Sequence, residues 1–239
     1  MIELKGKTAL VTGSSRGVGQ QTAIGLAKLG CNIIVHGRKK ENCEETLELL
    51  KSYPVKTWAV YGELSEESQV NDLINRVKEL NIPVEILYNN AALMRDFHED
   101  IWTHTWDEWM ETMKVNVFAM YSLCAAFMPG MIERGFGRVV NLSSGIKDKP
   151  GLAPYGASKW AVNKLTDDIA STLKNTGVRI NYIDPGWIQT DMGGEDAEHP
   201  VEDVLPGILA PTLVDDDGPN GEFFVAVDHD LDPDLLKGL

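Results

Sequence analysis

The chain has 239 residues, with 22 Lys+Arg against 36 Asp+Glu for a net charge of −14, and 43% hydrophobic residues. This is a globular composition, long enough to bury a core without disulfide or metal staples. The acidity excludes nucleic acid and anionic membrane surfaces as expected partners, because both demand Lys/Arg patches that displace counterions.

In chain order, the N-terminal Met1-Ile2-Glu3-Leu4-Lys5-Gly6-Lys7 lacks the apolar core of a signal peptide. No uninterrupted apolar run reaches the ~18–20 residues of a membrane span. Cys31, Cys43 and Cys124 are odd in number and form no Cys-x-x-Cys pair. A reducing, cytoplasmic setting is therefore expected, without a disulfide framework or a thiolate zinc site. Short β-branched runs at residues 8–12, 32–36, 57–61, 85–88, 138–142, 178–183 and 222–227 read as strands. Continuously apolar ones such as Ile33-Ile34-Val35 predict a parallel sheet buried on both faces. Helical periods lie between them. Residues 20–29 carry Ala23, Leu26 and Ala27 on one face and end at Gly30, and Ser65 offers an N-cap ahead of Val70, Leu73, Ile74 and Val77. This alternation predicts an α/β fold, a Rossmann-type doubly wound parallel sheet of about seven strands with helices on both faces. A single domain over residues 1–239 is expected, its cofactor-binding half at about 1–140 and its catalytic and substrate half at about 141–239.

Between the first strand and its helix lies Thr12-Gly13-Ser14-Ser15-Arg16-Gly17-Val18-Gly19. Glycines at such a turn allow positive φ and let backbone approach a pyrophosphate on the helix N-terminus. Strand two runs into His36-Gly37-Arg38-Lys39-Lys40, without the acidic residue that would take an NAD ribose hydroxyl. Arg16 and Arg38 suit a 2′-phosphate instead, so NADP(H) is the preferred cofactor and NAD(H) the possible one. Further on, Tyr155 and Lys159 stand at i and i+4 of one helix. An ammonium beside a phenol favours phenolate, which predicts a lowered Tyr155 pKa and a group able to move a proton.

The ordered set of the glycine loop, Asn89-Asn90-Ala91-Ala92, Asn116, Ser143-Ser144 and Tyr155-x-x-x-Lys159 resembles the short-chain dehydrogenase/reductase family in its compact form, over about residues 6–192. The resemblance implies an oxidoreductase that moves a hydride between nicotinamide and a small carbonyl or alcohol. Tyr155 would be the acid/base, with Lys159 lowering its pKa and holding the nicotinamide ribose. Ser144 would bind the substrate oxygen, Ser143 being the neighbour that resembles it. Asn116 would support a water chain to Lys159. Gly13, Ser15, Arg16, Gly17, Val18, Gly19 and Arg38 would hold the cofactor phosphates, and Glu63 and Leu64 the adenine. Asn90 and Ala91 would line a ribose, and Pro185, Gly186, Ile188 and Thr190 would meet the nicotinamide. Met94 and Trp187 flank these motifs as candidate substrate-pocket residues. The resemblance also implies a homodimer or homotetramer through the Tyr155 helix and the one before it.

Three departures from the family pattern stand out: Ala92 where a glycine is usual, Glu63 where an aspartate is usual, and short segments before Tyr155 and after Thr190. The short segments predict an open substrate cleft. The remaining features read as structural. Trp102, Trp106 and Trp109, with Met110 and Met113, suit helix packing or an interface, and His98 and His104 read as surface or capping residues. The acidic run 215–221 reads as a solvated turn. Asp228-His229-Asp230 reads as no metal site, since alternate strand residues face opposite sides. A non-catalytic nucleotide-binding regulator is the rival reading, because a fold does not fix a function.

Overall fold

The computed structural model describes residues 2–228 and 231, so His229 and Asp230 lie outside the described residues. Seven strands form one sheet: β1 (Thr8–Val11), β2 (Asn32–Gly37), β3 (Thr57–Tyr61), β4 (Ile86–Asn89), β5 (Gly137–Leu142), β6 (Val178–Asp184) and β7 (Phe223–Val225). All pair in parallel in the order β3-β2-β1-β4-β5-β6-β7. Period two divides the strand residues between two cores. Leu10, Ile34 and Leu87 face one side. Ala9, Val11, Ile33, Val35, Ile86 and Tyr88 face the other.

The helices are α1 (Gly17–Lys28), α2 (Glu44–Leu50), α3 (Glu67–Glu79), α4 (Trp106–Met113), α5 (Ala119–Arg134) and α6 (Ala153–Ser171). Leu26 of α1 and Leu50 of α2 cover one face, while Leu73 of α3, Leu123 of α5 and Val162 of α6 cover the other. Both faces are thus closed, as a parallel sheet requires. The order reverses between β1 and β4, which opens a crevice at the carboxyl ends of those strands.

Several boundaries differ from the sequence expectations. Helix α1 begins at Gly17, three residues early, because helical backbone comes directly after the glycine turn. The start of α3 falls at Glu66 and Glu67, with no side-chain cap, so Ser65 is not the N-cap. Helices α4 and α5 join through a π turn, Lys114–Phe118, into one 29-residue helix from Trp106 to Arg134. By length and composition alone that helix is apolar enough to cross a membrane. Here Met120, Leu123, Cys124, Phe127 and Met131 commit its apolar face to the core.

The acidic run 215–221 is docked, contrary to its reading as a solvated turn. Arg138 of β5 is fully buried, and its guanidinium donates to the carbonyls of Val214, Gly137 and Gly177 and to Asp216 Oδ1 at 2.6 Å. A buried cation must be paired and hydrogen-bonded, and Asp216 supplies the counter-charge. Asn220 fastens the same loop by accepting from the Ile180 N–H and donating to the Ala170 carbonyl.

Candidate active site

The glycine turn is built around two side chains that hold backbone. Gly17 has φ +59°, a conformation open to glycine at little cost. A Cβ on Gly19 would lie 2.4 Å from both the Gly13 carbonyl oxygen and Asn90 Nδ2. Asn90 donates from Nδ2 to the carbonyls of Thr12 (2.8 Å) and Gly13 (3.2 Å), while the N–H groups of Asn90 and Ala91 donate to Thr12 Oγ1. The predicted pair Asn90 and Ala91 is thus brought against the loop it is expected to complete. No side chain caps the N-terminus of α1, and its first turn carries no acidic residue. Uncapped N–H groups at a helix start favour an anion, and the turn therefore fits a dinucleotide's phosphates.

His36 is the loop's second support, a role that its place in the sequence does not reveal. Its Nδ1 accepts the Gly13 N–H at 3.0 Å, so the ring proton is on Nε2, which donates to the Gly62 carbonyl at 3.1 Å. Burial pushes its pKa down to about 4, against the upward pull of the Gly62 hydrogen bond. Because the folded value lies below the unfolded ~6.5, the folded state binds fewer protons between those values. Stability is then full above pH ~6.5 and falls as pH drops toward ~4, by about 3 kcal/mol in all. Urea unfolding at pH 7.5 and pH 4.5 should show this loss, and His36→Asn should flatten it. An equal pH slope in the variant would contradict the assignment.

Arg16 is exposed and its guanidinium pairs with Asp191, which ties the segment after Thr190 to the glycine loop. It is therefore engaged by protein, unlike Arg38, which is exposed one residue past β2 and has no ion-pair partner among the described residues. Glu63 and Leu64 come shortly after β3. Leu64 is buried in the core, and the Glu63 N–H donates to Gln69. Ser15 and Val18 sit half-buried in the turn.

The catalytic candidates meet at the carboxyl ends of β5 and β6. Ser144 stands beside the Tyr155 phenol, where its hydroxyl favours the phenolate, and Lys159 Nζ is 5.5 Å from the Tyr155 ring centroid. Ser143 is turned inward onto Asn163, so the two neighbouring serines separate cleanly. The expectation of a lowered Tyr155 pKa is not met. Burial pushes it up to about 12, Asp184 adds to the rise, and the Ser144 hydrogen bond opposes it. Lys159 is pulled down to about 8 by burial, and its ammonium donates to the Leu142 carbonyl at 2.7 Å. Desolvation therefore decides the direction of the Tyr155 shift.

Asn116, in the π turn, accepts the Leu93 N–H and donates to the Leu93 carbonyl and to Ser158 Oγ. Its amide is committed to these groups and makes no direct bond to Lys159, so it fixes the loop after β4 to α6. Asp184 is a second residue that sequence reasoning misses. Its carboxylate accepts the N–H of Gly145 at 2.7 Å and of Gly186 at 3.0 Å, joining the two loops that carry Ser144 and Pro185-Gly186. A carboxylate at the carboxyl end of β6, directly before Pro185-Gly186, is the available signal.

Trp187 is 52% exposed with its indole N–H on the Gly193 carbonyl, Ile188 is buried, and the Thr190 hydroxyl accepts the Gly193 N–H. Met94 is half-buried beyond β4. Residues 187–199 close on themselves through Gln189 and His199, a short segment but an ordered one. Of the tryptophans expected to serve helix packing or an interface, Trp109 is half-buried, whereas Trp102 and Trp106 are 87% and 76% exposed and do not pack within the chain. His98 and His104 are half-buried against Glu108, in place of the expected surface or capping role.

The family model for short chain dehydrogenases matches residues 7–200. Gluconate 5-dehydrogenase of Gluconobacter oxydans is 33% identical over 195 residues, which are 80% of this chain and 75% of that protein. The 3-oxoacyl-[acyl-carrier-protein] reductase of Staphylococcus aureus is 32% identical over 93% of this chain and 91% of its own. A 3-oxoacyl (acyl-carrier-protein) reductase from Agrobacterium tumefaciens, solved with NADP bound, superposes with a TM-score of 0.84 at 27% identity, covering 93% of each chain.

Proposed function

The chain belongs to the short-chain dehydrogenase/reductase family, and on that premise we propose that it is an NADP(H)-dependent oxidoreductase of a small carbonyl or alcohol substrate, with Tyr155 as acid/base. The observation that carries this reading is the convergence on a half-buried Tyr155 of Ser144, which favours its phenolate, and of Lys159, whose Nζ stands 5.5 Å from the same ring. When bound, the nicotinamide supplies or accepts the hydride. Everything else falls to the protein. Ser144 and Tyr155 polarise the carbonyl oxygen, and Tyr155 gives its proton to that oxygen as alkoxide charge develops. A phenol with a pKa of about 12 is protonated at neutral pH, the form that reduction needs. Lys159 at about 8 is cationic there, which stabilises the phenolate left behind.

The uncapped start of α1, with Gly13, Gly17 and Gly19, would take the phosphates, and Asn90, Ala91, Pro185, Gly186, Ile188 and Thr190 would line the remainder. Residues 1–140 then form the cofactor half and 141–239 the catalytic and substrate half. Met94 and Trp187 would border the substrate, and Asn116 would position the catalytic helix. Exposed Phe118 at the end of the π turn, Tyr121 on α5 and Trp160 on α6 support a homodimer or homotetramer through those helices. The buried, unpaired Cys31, Cys43 and Cys124 suit the cytoplasm.

The test is NADPH consumption against a mixed carbonyl panel, with NADH in parallel. Silence with both nucleotides across the panel would count against the reading. Arg38, exposed and without an ion-pair partner among the described residues, is the residue for a 2′-phosphate. Arg38→Asp is expected to lower kcat/KM with NADPH by about 10–100-fold, the equivalent of one charge-assisted hydrogen-bonded contact, and to leave NADH turnover unharmed. Equal losses with both cofactors would remove Arg38 from that role.

A further inference from the structure

Three side chains outside the catalytic centre converge where the loop at 93–105 meets the segment just before α6. His98, His104 and Glu108 each offer one donor atom, and the three atoms lie within 4.8 Å of one another. The hydrogen bonds around them fix which atoms carry protons. Thr103 donates its only hydroxyl proton to the Asp100 carbonyl at 2.7 Å. Its oxygen must then accept from His98 Nδ1, 2.8 Å away, so Nδ1 carries a proton and Nε2 is the remaining nitrogen. That Nε2 points at Glu108 Oε1, at 2.8 Å.

His104 repeats the logic on its other nitrogen. Its Nε2 faces the Pro150 carbonyl at 3.4 Å, which can only accept, so the ring proton is there. The remaining Nδ1 is buried and has no hydrogen-bond partner. Buried polar atoms are nearly always satisfied, so an orphan of this kind calls for a ligand. Glu108 completes the set. Its Oε2 accepts the N–H and hydroxyl of Thr105, leaving Oε1 for the cluster.

We propose that His98 Nε2, His104 Nδ1 and Glu108 Oε1 form a binding site for a zinc-class divalent cation. Each donor has its far side held by a hydrogen-bonding partner, the arrangement that orients ligands toward a metal. Two imidazoles and one carboxylate suit zinc, which would take them as three of four tetrahedral ligands. Ligand atoms in such a site stand ~3.3 Å apart, so the side chains close by rotamer-scale movement on binding. Without the cation, His98 Nε2 needs a second ring proton to face the carboxylate, and His104 Nδ1 has no hydrogen-bond partner.

The place of the site gives the ion a structural consequence. His98 and His104 reach the segment before α6 through Gly151 and Pro150, the His98 N–H donating to the Gly151 carbonyl at 3.0 Å. A Cβ on Gly151 would stand 2.3 Å from the Phe97 ring, so the two segments already touch. A bound cation stitches the 93–105 loop to the segment that leads into Tyr155.

The test is calorimetric titration of chelator-treated, full-length protein with ZnCl2, alongside cobalt(II) titration followed by visible absorption. One ion per chain is expected, with the intense visible bands of a tetrahedral cobalt site. His104→Ala should weaken zinc at least tenfold, and His98→Gln should do the same independently. Zinc should raise the melting temperature of the parent and leave that of His104→Ala unchanged. Absence of binding below millimolar zinc would overturn the proposal, as would a parental affinity in either variant or an octahedral cobalt spectrum. These readouts are independent of NADPH turnover.

Discussion

Tyr155→Phe is expected to lower carbonyl reduction by about 10²–10⁴-fold while nucleotide binding stays within a few-fold of the parent. The substitution removes one oxygen from a half-buried side chain, so volume and helix propensity are nearly conserved. The variant loses the proton that would reach the alkoxide and the partner of the Ser144 hydroxyl. The loss corresponds to about 3–5 kcal/mol of barrier. Single-turnover NADPH oxidation, with calorimetric binding of NADPH to the same variant, separates chemistry from affinity. Activity retained within about tenfold would take the acid/base role away from Tyr155.

Gly19→Ala is the second large effect, and it should appear in binding. Its added methyl would meet the Gly13 carbonyl oxygen and Asn90 Nδ2 at 2.4 Å. Neither neighbour can yield freely. Gly13 is backbone held by His36, and Asn90 already spans two carbonyls of the same turn. Relief must come from shifting the start of α1 away from the loop, which moves the N–H groups proposed for the phosphates. NADPH affinity is expected to fall at least ~100-fold, with a stability loss of about 1–3 kcal/mol from overpacking. Calorimetry and a urea melt measure the two parts. An affinity within threefold of the parent would mean that the turn holds no phosphate.

The sheet is legible because its strands are β-branched runs between turn-forming residues, and the register then comes from parallel pairing. The glycine loop and the Tyr155–Lys159 pair are legible because their spacing is local. Other features rest on distant contacts. His36 reads as a polar residue closing the apolar run Ile33-Ile34-Val35 until the turn after β1 brings Gly13 to it across 23 positions. Asp216 reads as loop acid until buried Arg138 claims it across 78. The direction of the Tyr155 pKa escapes the sequence because the pair's charge interaction is visible there and the desolvation of its surroundings is not. Trp102 and Trp106 illustrate the converse, since aromatic spacing does not say whether the facing surface belongs to the same chain.

The π turn at Lys114–Phe118 makes the long helix a phase-shifted rod. One residue of a regular helix turns through ~100°, so a single extra residue resets the angle between the helical segments on its two sides. Ahead of the turn, α4 carries Glu108 toward the histidine cluster, and beyond it α5 presents Leu123 and Phe127 to the sheet. Deleting one residue here would restore regular winding and preserve nearly all of the composition. It would also rotate α4 against α5 by about a quarter turn or more, carrying Glu108 away from His98 and Asn116 away from Leu93. The turn therefore works as an angular offset, and lineages that lose it would have to rebuild both ends of the rod together.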